Sequence, residues 1–231
     1  MTYAEFLKYF VSGGWGGYFA ILIVGFIYGI THFKQLSKAA QGVWIILTIS
    51  LFVEVFGQLV NYFIHTNSPR DHIRFILHPL AFGYTYSLYA NSSKTGRVYL
   101  MGGIVIALLS IFNSLLLTDY DNFPTYPPML FHFGVVLATL FTFKDMLRMP
   151  DEQPLQQKGL FWFNTANLIF YASAYFRDTL YNYYLEHHYY VDGTFMPDWV
   201  IVLIKGLNYY LYSSYILTLY LDKRFGKNRK P

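Results

Sequence analysis

The sequence predicts an all-α fold, a polytopic integral membrane protein built as a bundle of seven transmembrane helices. Three observations predict it. Hydrophobic residues make up 55% of the 231 and charged residues only 13%, about half the charged share of a soluble domain. Seven apolar stretches have lengths at or near the roughly 17 to 25 residues that cross a bilayer as helix. Lysine and arginine collect in alternate connections between those stretches. Disorder is excluded by an aromatic content of 21%, and a disulfide framework, thiol catalysis and thiolate metal sites by the absence of cysteine. Glycine has no period of three, so collagen is excluded as well.

The elements follow in chain order. Residues 1–14 form an N-terminal interfacial segment, with Phe6, Tyr9 and Phe10 on one apolar side. They lack the basic start and small-residue cleavage site of a signal peptide, so the first span is expected to be retained. The transmembrane domain covers 15–221, with spans at Trp15 to Phe33, Val43 to Ile64, Ile73 to Tyr89, Val98 to Leu117, Pro128 to Phe143, Leu160 to Tyr184 and Trp199 to Leu221. Span 1 carries Gly13, Gly14, Gly16, Gly17, Gly25 and Gly29, a small-residue face for close helix packing. Turn and cap residues separate the spans at Asn67-Ser68-Pro69, Asn91-Ser92-Ser93, Phe123-Pro124-Thr125-Tyr126-Pro127-Pro128 and Met196-Pro197-Asp198. No gap holds a soluble domain, and 222–231 is a basic cytoplasmic tail.

Lys34, Lys38, Lys94, Arg97, Lys144, Arg148, Lys158 and the tail cations Lys223, Arg224, Lys227, Arg229 and Lys230 share one side. Asp119, Asp121, Glu186, Asp192 and Asp198 gather on the other, with Lys8, Arg70 and Arg74. The positive-inside rule therefore puts the N-terminus outside and the C-terminus in the cytoplasm, a multi-pass topology in a cell inner membrane. The basic excess is thus topological, and no nucleic-acid partner is needed to explain it.

Ionisable side chains inside a bilayer cost roughly 2.5 kcal/mol or more each, so those that occur there need a reason. In span 2, Ser50, Glu54, Gln58, Asn61 and His65 recur at steps of three or four and share a helical face. Span 6 offers Asn164, Asn167, Tyr171 and Asp178, with Arg177 beside them, and span 7 offers Lys205, Asn208, Tyr212 and Tyr215. Arg177 and Lys205 can neutralise Glu54 and Asp178. His65, His72, His78 and His132 fall toward the same outer half. Glu54, Gln58, Asn61, His78, Asn167, Arg177, Asp178, Lys205 and Asn208 are therefore expected to form a ligand-binding or ion-pair cluster. For the asparagines, interhelical hydrogen bonding that only holds helices together is the competing expectation.

Two chemistries suit seven spans. In a retinal protein Lys205 would carry the Schiff base, but span 7 lacks an aspartate one turn before it and span 3 has no carboxylate pair. A zinc hydrolase would need His65, His72, His78 and His132 to converge as metal candidates, yet the chain has no His-x-x-x-His and span 7 no histidine. Phosphate-binding glycine loops and nucleophile elbows are absent from the sequence. The residues name no cofactor and no catalytic group.

Phe112-Asn113-Ser114, then Asn122-Phe123-Pro124-Thr125-Tyr126, then Phe161-Trp162-Phe163-Asn164-Thr165 running into Leu168-Ile169-Phe170-Tyr171 resemble an uncharacterised group of bacterial seven-helix membrane proteins. They also resemble the membrane domains of some sensor histidine kinases. The match covers about 60 residues directly. The resemblance implies a sensing or signal-coupling bundle. The basic tail carries no kinase, so a signal would pass to a separate cytoplasmic partner.

The expectation is a receptor-like or sensor-like inner-membrane protein that takes a small or lipidic ligand in an outer-half polar cavity. The alternatives are a small-molecule or proton-linked transporter relaying through Glu54, Asp178 and Lys205, and a membrane-embedded metal-dependent hydrolase. The lipid bilayer is the partner common to all three.

Overall fold

A backbone surrounded by hydrocarbon satisfies its polar groups only within its own helix. Each predicted apolar stretch accordingly lies, to within one residue, in one long helix of the computed structural model. The structure describes residues 15–64, 68–118, 124, 126–148, 154–186 and 198–225. The 1–14 segment, His65, His187, His188, Asp119, Asp121, Asp192 and the last tail residues lie outside these. Among the described residues the long helices are α1 (Trp15–His32), α2 (Lys38–Ile64), α3 (Ser68–Tyr89), α4 (Ser93–Leu116), α5 (Tyr126–Arg148), α6 (Gly159–Glu186) and α7 (Asp198–Phe225). Short 3-10 turns at Phe33–Gln35 and Leu155–Gln157 lead into α2 and α6.

The helices outrun the apolar stretches where polar first turns extend them. Helix α3 starts at Ser68 rather than Ile73, with Pro69 in its first turn, where the missing N–H has no intrahelical partner to lose. Pro127 and Pro128 occupy the same place in α5. Ser92 caps α4, its Oγ accepting from the Thr95 N–H at 3.1 Å. Ser37 caps α2 through the Ala40 N–H at 3.2 Å.

Every helix packs on its chain neighbours, and α1 closes the ring against α7. Helix α2 also touches α7, and α3 touches α5. The span-1 glycines work as expected where they are described: Gly25 faces Leu47 and Ile216, and Gly29 faces the Trp44 ring so closely that a Cβ there would overlap it. Trp44 in turn donates its Nε1–H to the Phe26 carbonyl at 3.1 Å. At the other helix end Asp222 of α7 accepts from the Ser37 N–H at 2.8 Å and from its Oγ at 2.9 Å, fastening the end of α7 to the α1–α2 connection.

The outside of the ring is apolar. Phe63 is 74% exposed, Leu115 65%, Leu147 73% and Phe176 67%, a surface that water does not tolerate at this extent. By length and composition four helices among the described residues are able to cross a membrane: α2, α4, α5 and the segment Gly17–Gln35 that contains most of α1. The chain is a helical membrane protein. Helices α3, α6 and α7 are as long but more polar, and they bring most of the buried charge.

Two layers of buried polarity cross the ring. At mid-height Asn167 of α6, fully buried, donates to the Tyr86 hydroxyl of α3 at 3.0 Å and accepts from the Tyr215 hydroxyl of α7 at 2.5 Å. Tyr86 also meets Thr139 of α5 at 2.7 Å. Phe82, Phe131, Phe163 and Tyr171 pack edge-on and stacked around this network, with ring centroids 5.3 to 6.3 Å apart. The second layer is charged and lies nearer one end.

Candidate functional site

Helices that alternate in direction bring the start of α1, the last half of α2, the start of α3, the last half of α6 and the start of α7 to the same end of the bundle. There Tyr18, Glu54, Arg70, Arg74, Arg177, Ile204, Lys205, Asn208 and Tyr209 line a cavity of about 160 Å³. At about 30 Å³ per water, that is room for about five waters or a small polar group with fewer.

Its walls are ordered by charge. Glu54 on α2 is buried and accepts from Arg70 at 3.4 Å and from Arg74, both on α3. Arg70 also donates to both oxygens of Asp71, at 3.1 and 3.4 Å. Arg74 lies 3.7 Å from the same carboxylate. Residues 70 and 74 are one helical turn apart, so both guanidinium groups leave α3 on the face turned to Glu54. On α6 the Arg177 guanidinium folds back onto the Asp178 carboxylate at 2.6 Å. The other Asp178 oxygen stands 3.1 Å from Nδ1 of His132 on α5, within ion-pair distance but off the hydrogen-bond line. Two ion-pair groups therefore flank the cavity, one shared by α2 and α3 and one by α5 and α6.

Gly57 makes the first group possible. It sits almost one turn beyond Glu54, and a Cβ there would overlap Cδ of Arg70. Only a bare backbone at 57 lets the Arg70 side chain run across α2 to Glu54. Gly57→Ala is expected to displace Arg70 and lower stability by about 1 to 3 kcal/mol. The same substitution in an Arg70→Ala background is expected to be nearly neutral, and unfolding of the purified variants in detergent measures the difference.

The structure brings Glu54, Arg177, Lys205 and Asn208 together around the cavity, with Asp178 just behind Arg177. Other expected members are elsewhere. Gln58 and Asn61 continue the α2 face, half-buried, without lining the cavity. His78 is buried against Ser50 at 3.2 Å and the Phe82 and Phe131 rings. Asn167 belongs to the mid-height tyrosine network, the packing role that competed with ligand binding for this residue.

Two expectations are corrected. The cations that reach Glu54 in the described contacts are Arg70 and Arg74, while Arg177 pairs with Asp178 as expected; α3 begins at Ser68 rather than Ile73, so Arg70 also lies within the helix, one turn before Arg74. The three described histidines do not converge on one site: His72 pairs with Ser114 at 2.7 Å, His78 with Ser50 and His132 with Asp178, and His65 lies outside the described residues. Among the described residues no group of three metal-ligating side chains occurs. Sequence reading missed Arg70, Arg74, Asp71, Gly57, Tyr18 and Tyr209. The signal available for the first three was Arg-Asp-x-x-Arg directly after Ser-Pro, a helical start with two cations at i and i+4.

Fold and site define a helical membrane protein with a charged interhelical cavity. Comparison with protein-family models, curated proteins and solved structures finds no match to the chain.

Proposed function

We propose that the chain is a receptor-like or sensor-like membrane protein of seven spans. Its N-terminus is outside and its C-terminus in the cytoplasm of a bacterial cell, and it takes a small or lipidic ligand in the charged cavity. The observation that carries the reading is the cavity itself: charged walls supplied by α2, α3, α6 and α7, enclosing space at the end of the bundle opposite the lysine-rich connections. Helix packing alone has no use for a volume left open between four cations. Ligand contact with Arg177 and Lys205 would shift α6 against α7. The Asp222–Ser37 clamp at the far end of α7 is the contact such a shift would strain. A cytoplasmic partner would read that change, as the resemblance to sensor membrane domains implies.

The chain contains no cysteine, so single-cysteine variants report topology without background. Ser92→Cys is expected to react with an impermeant maleimide only after the cells are opened, and Asp192→Cys in intact cells. The opposite pattern would remove the outer-side ligand from the reading. Substrate flux into proteoliposomes that collapses in Glu54→Gln would assign the cavity to a carrier instead.

A further inference from the structure

The cavity sorts its charges by depth. The carboxylate side chains of Glu54, Asp71 and Asp178 keep 4%, 10% and 5% of their surface, whereas the guanidinium-bearing side chains of Arg70, Arg74 and Arg177 keep 14%, 25% and 29%. The anions lie beneath and the cations face the space. Lys205 adds a fourth cation to the lining, and Glu54 is the one acid among the described lining residues. Counting Asp71 and Asp178 behind the wall and taking His132 as neutral, four cations face three anions among the described residues. The Arg74 Nε is buried and has no hydrogen-bond partner among the described residues, although the rest of that guanidinium is paired. A guanidinium donor left without an acceptor in a desolvated site calls for an anion or a polar oxygen.

A second observation concerns what is attached to that anion. A narrow slot of about 60 Å³ runs between α6 and α7, lined by Phe170, Ser173, Ala174, Leu203, Ile204 and Leu207, and it reaches Arg177. Arg177 and Ile204 line both the slot and the charged cavity, so the two adjoin at these side chains. Leu203 and Phe176, on the outer faces of these helices, are exposed to the surrounding hydrocarbon. A polar chamber thus borders an apolar cleft between α6 and α7.

Resting on the reading of the cavity as a ligand site, we infer that its ligand is an anionic amphiphile, a phosphate or carboxylate headgroup on a single alkyl tail. The headgroup sits among Arg74, Arg177, Lys205 and Asn208. The tail leaves past Ile204 along the α6–α7 slot. Arg74 and Arg177 supply planar donors that match two oxygens of a phosphate or carboxylate, and Lys205 adds a point charge on the opposite wall.

The test uses the full chain in neutral phosphatidylcholine nanodiscs and dodecyl phosphate bearing a diazirine at mid-tail. Photolysis is expected to label peptides containing Phe170 to Ala174 and Leu203 to Leu207. In Lys205→Met, which alters none of the described pairs of Glu54, Asp71 and Asp178, labelling there is expected to fall about tenfold, the loss of one charge-assisted contact. Lys205→Arg is expected to retain most of it. Dodecyl phosphate without the diazirine should compete at far lower concentration than inorganic phosphate; equal competition would make the ligand a small free anion and overturn the tail assignment. A dodecyltrimethylammonium probe that labels the slot as strongly would overturn the anion assignment while leaving the cavity a ligand site. Labelling by every probe spread evenly over α4 and α5 would overturn both this inference and the function on which it rests.

Discussion

Glu54→Gln is expected to lower the stability of the protein by about 3 to 5 kcal/mol, the cost of leaving buried partner charges uncompensated. Glu54 is almost fully buried and is the shared anion of Arg70 and Arg74. An amide keeps the shape and one acceptor oxygen but removes the charge that made it favourable to hold two guanidinium groups between α2 and α3. Arg70 keeps Asp71 as a second partner at 3.1 Å, whereas Arg74 is left with the same carboxylate at 3.7 Å. The loss should therefore be carried mainly by Arg74. Unfolding in detergent of Glu54→Gln, Arg74→Met and the double variant separates the terms. The double variant is expected to be more stable than Glu54→Gln alone, because removing both charges leaves none stranded. A Glu54→Gln loss below about 1 kcal/mol would place these pairs in the range of solvent-screened surface bridges and sink the account of a buried cluster.

That experiment also marks where sequence reading stopped. Apolar length and turn residues carry the helices, so their positions were legible: α1, α6 and α7 begin within a residue of the predicted spans. The polar seam of α6 was legible for the same reason, since a period of three or four residues is a property of one helix. Asn164, Asn167, Tyr171 and Asp178 are all buried as that period requires. Which seam meets which is a property of two helices, and hydropathy does not encode it. Arg70 and Arg74 look like interfacial charges when α3 is taken to begin at its first apolar residue. The helical first turn from Ser68 sets Arg70 one turn before Arg74, and both then reach Glu54. Gly57 was equally unreadable, because a glycine within an apolar span signals close approach without saying of what.

Asn167→Leu is the second substitution expected to have a large effect, and it acts by a different mechanism. No charge is lost. Asn167 links three helices with one side chain, donating to Tyr86 of α3 and accepting from Tyr215 of α7, with all three residues buried. Leucine has a similar size and fills the site, so the change removes hydrogen bonds with little cavity. The cost falls unevenly on the two tyrosines. Tyr86 keeps Thr139 at 2.7 Å, whereas the Tyr215 hydroxyl loses the acceptor it reaches at 2.5 Å. An unsatisfied buried hydroxyl costs about 1 to 3 kcal/mol, and Asn167→Leu is expected to lose that much in detergent unfolding. Tyr215→Phe in the same chain should recover part of the loss, since replacing both partners by apolar groups is far less costly than stranding one. If Asn167→Leu and Tyr215→Phe simply add, the two side chains are not coupled, and the mid-height network does not hold α6 to α7. Coupling of more than about 0.5 kcal/mol would show that the network holds α6 to α7 through this pair.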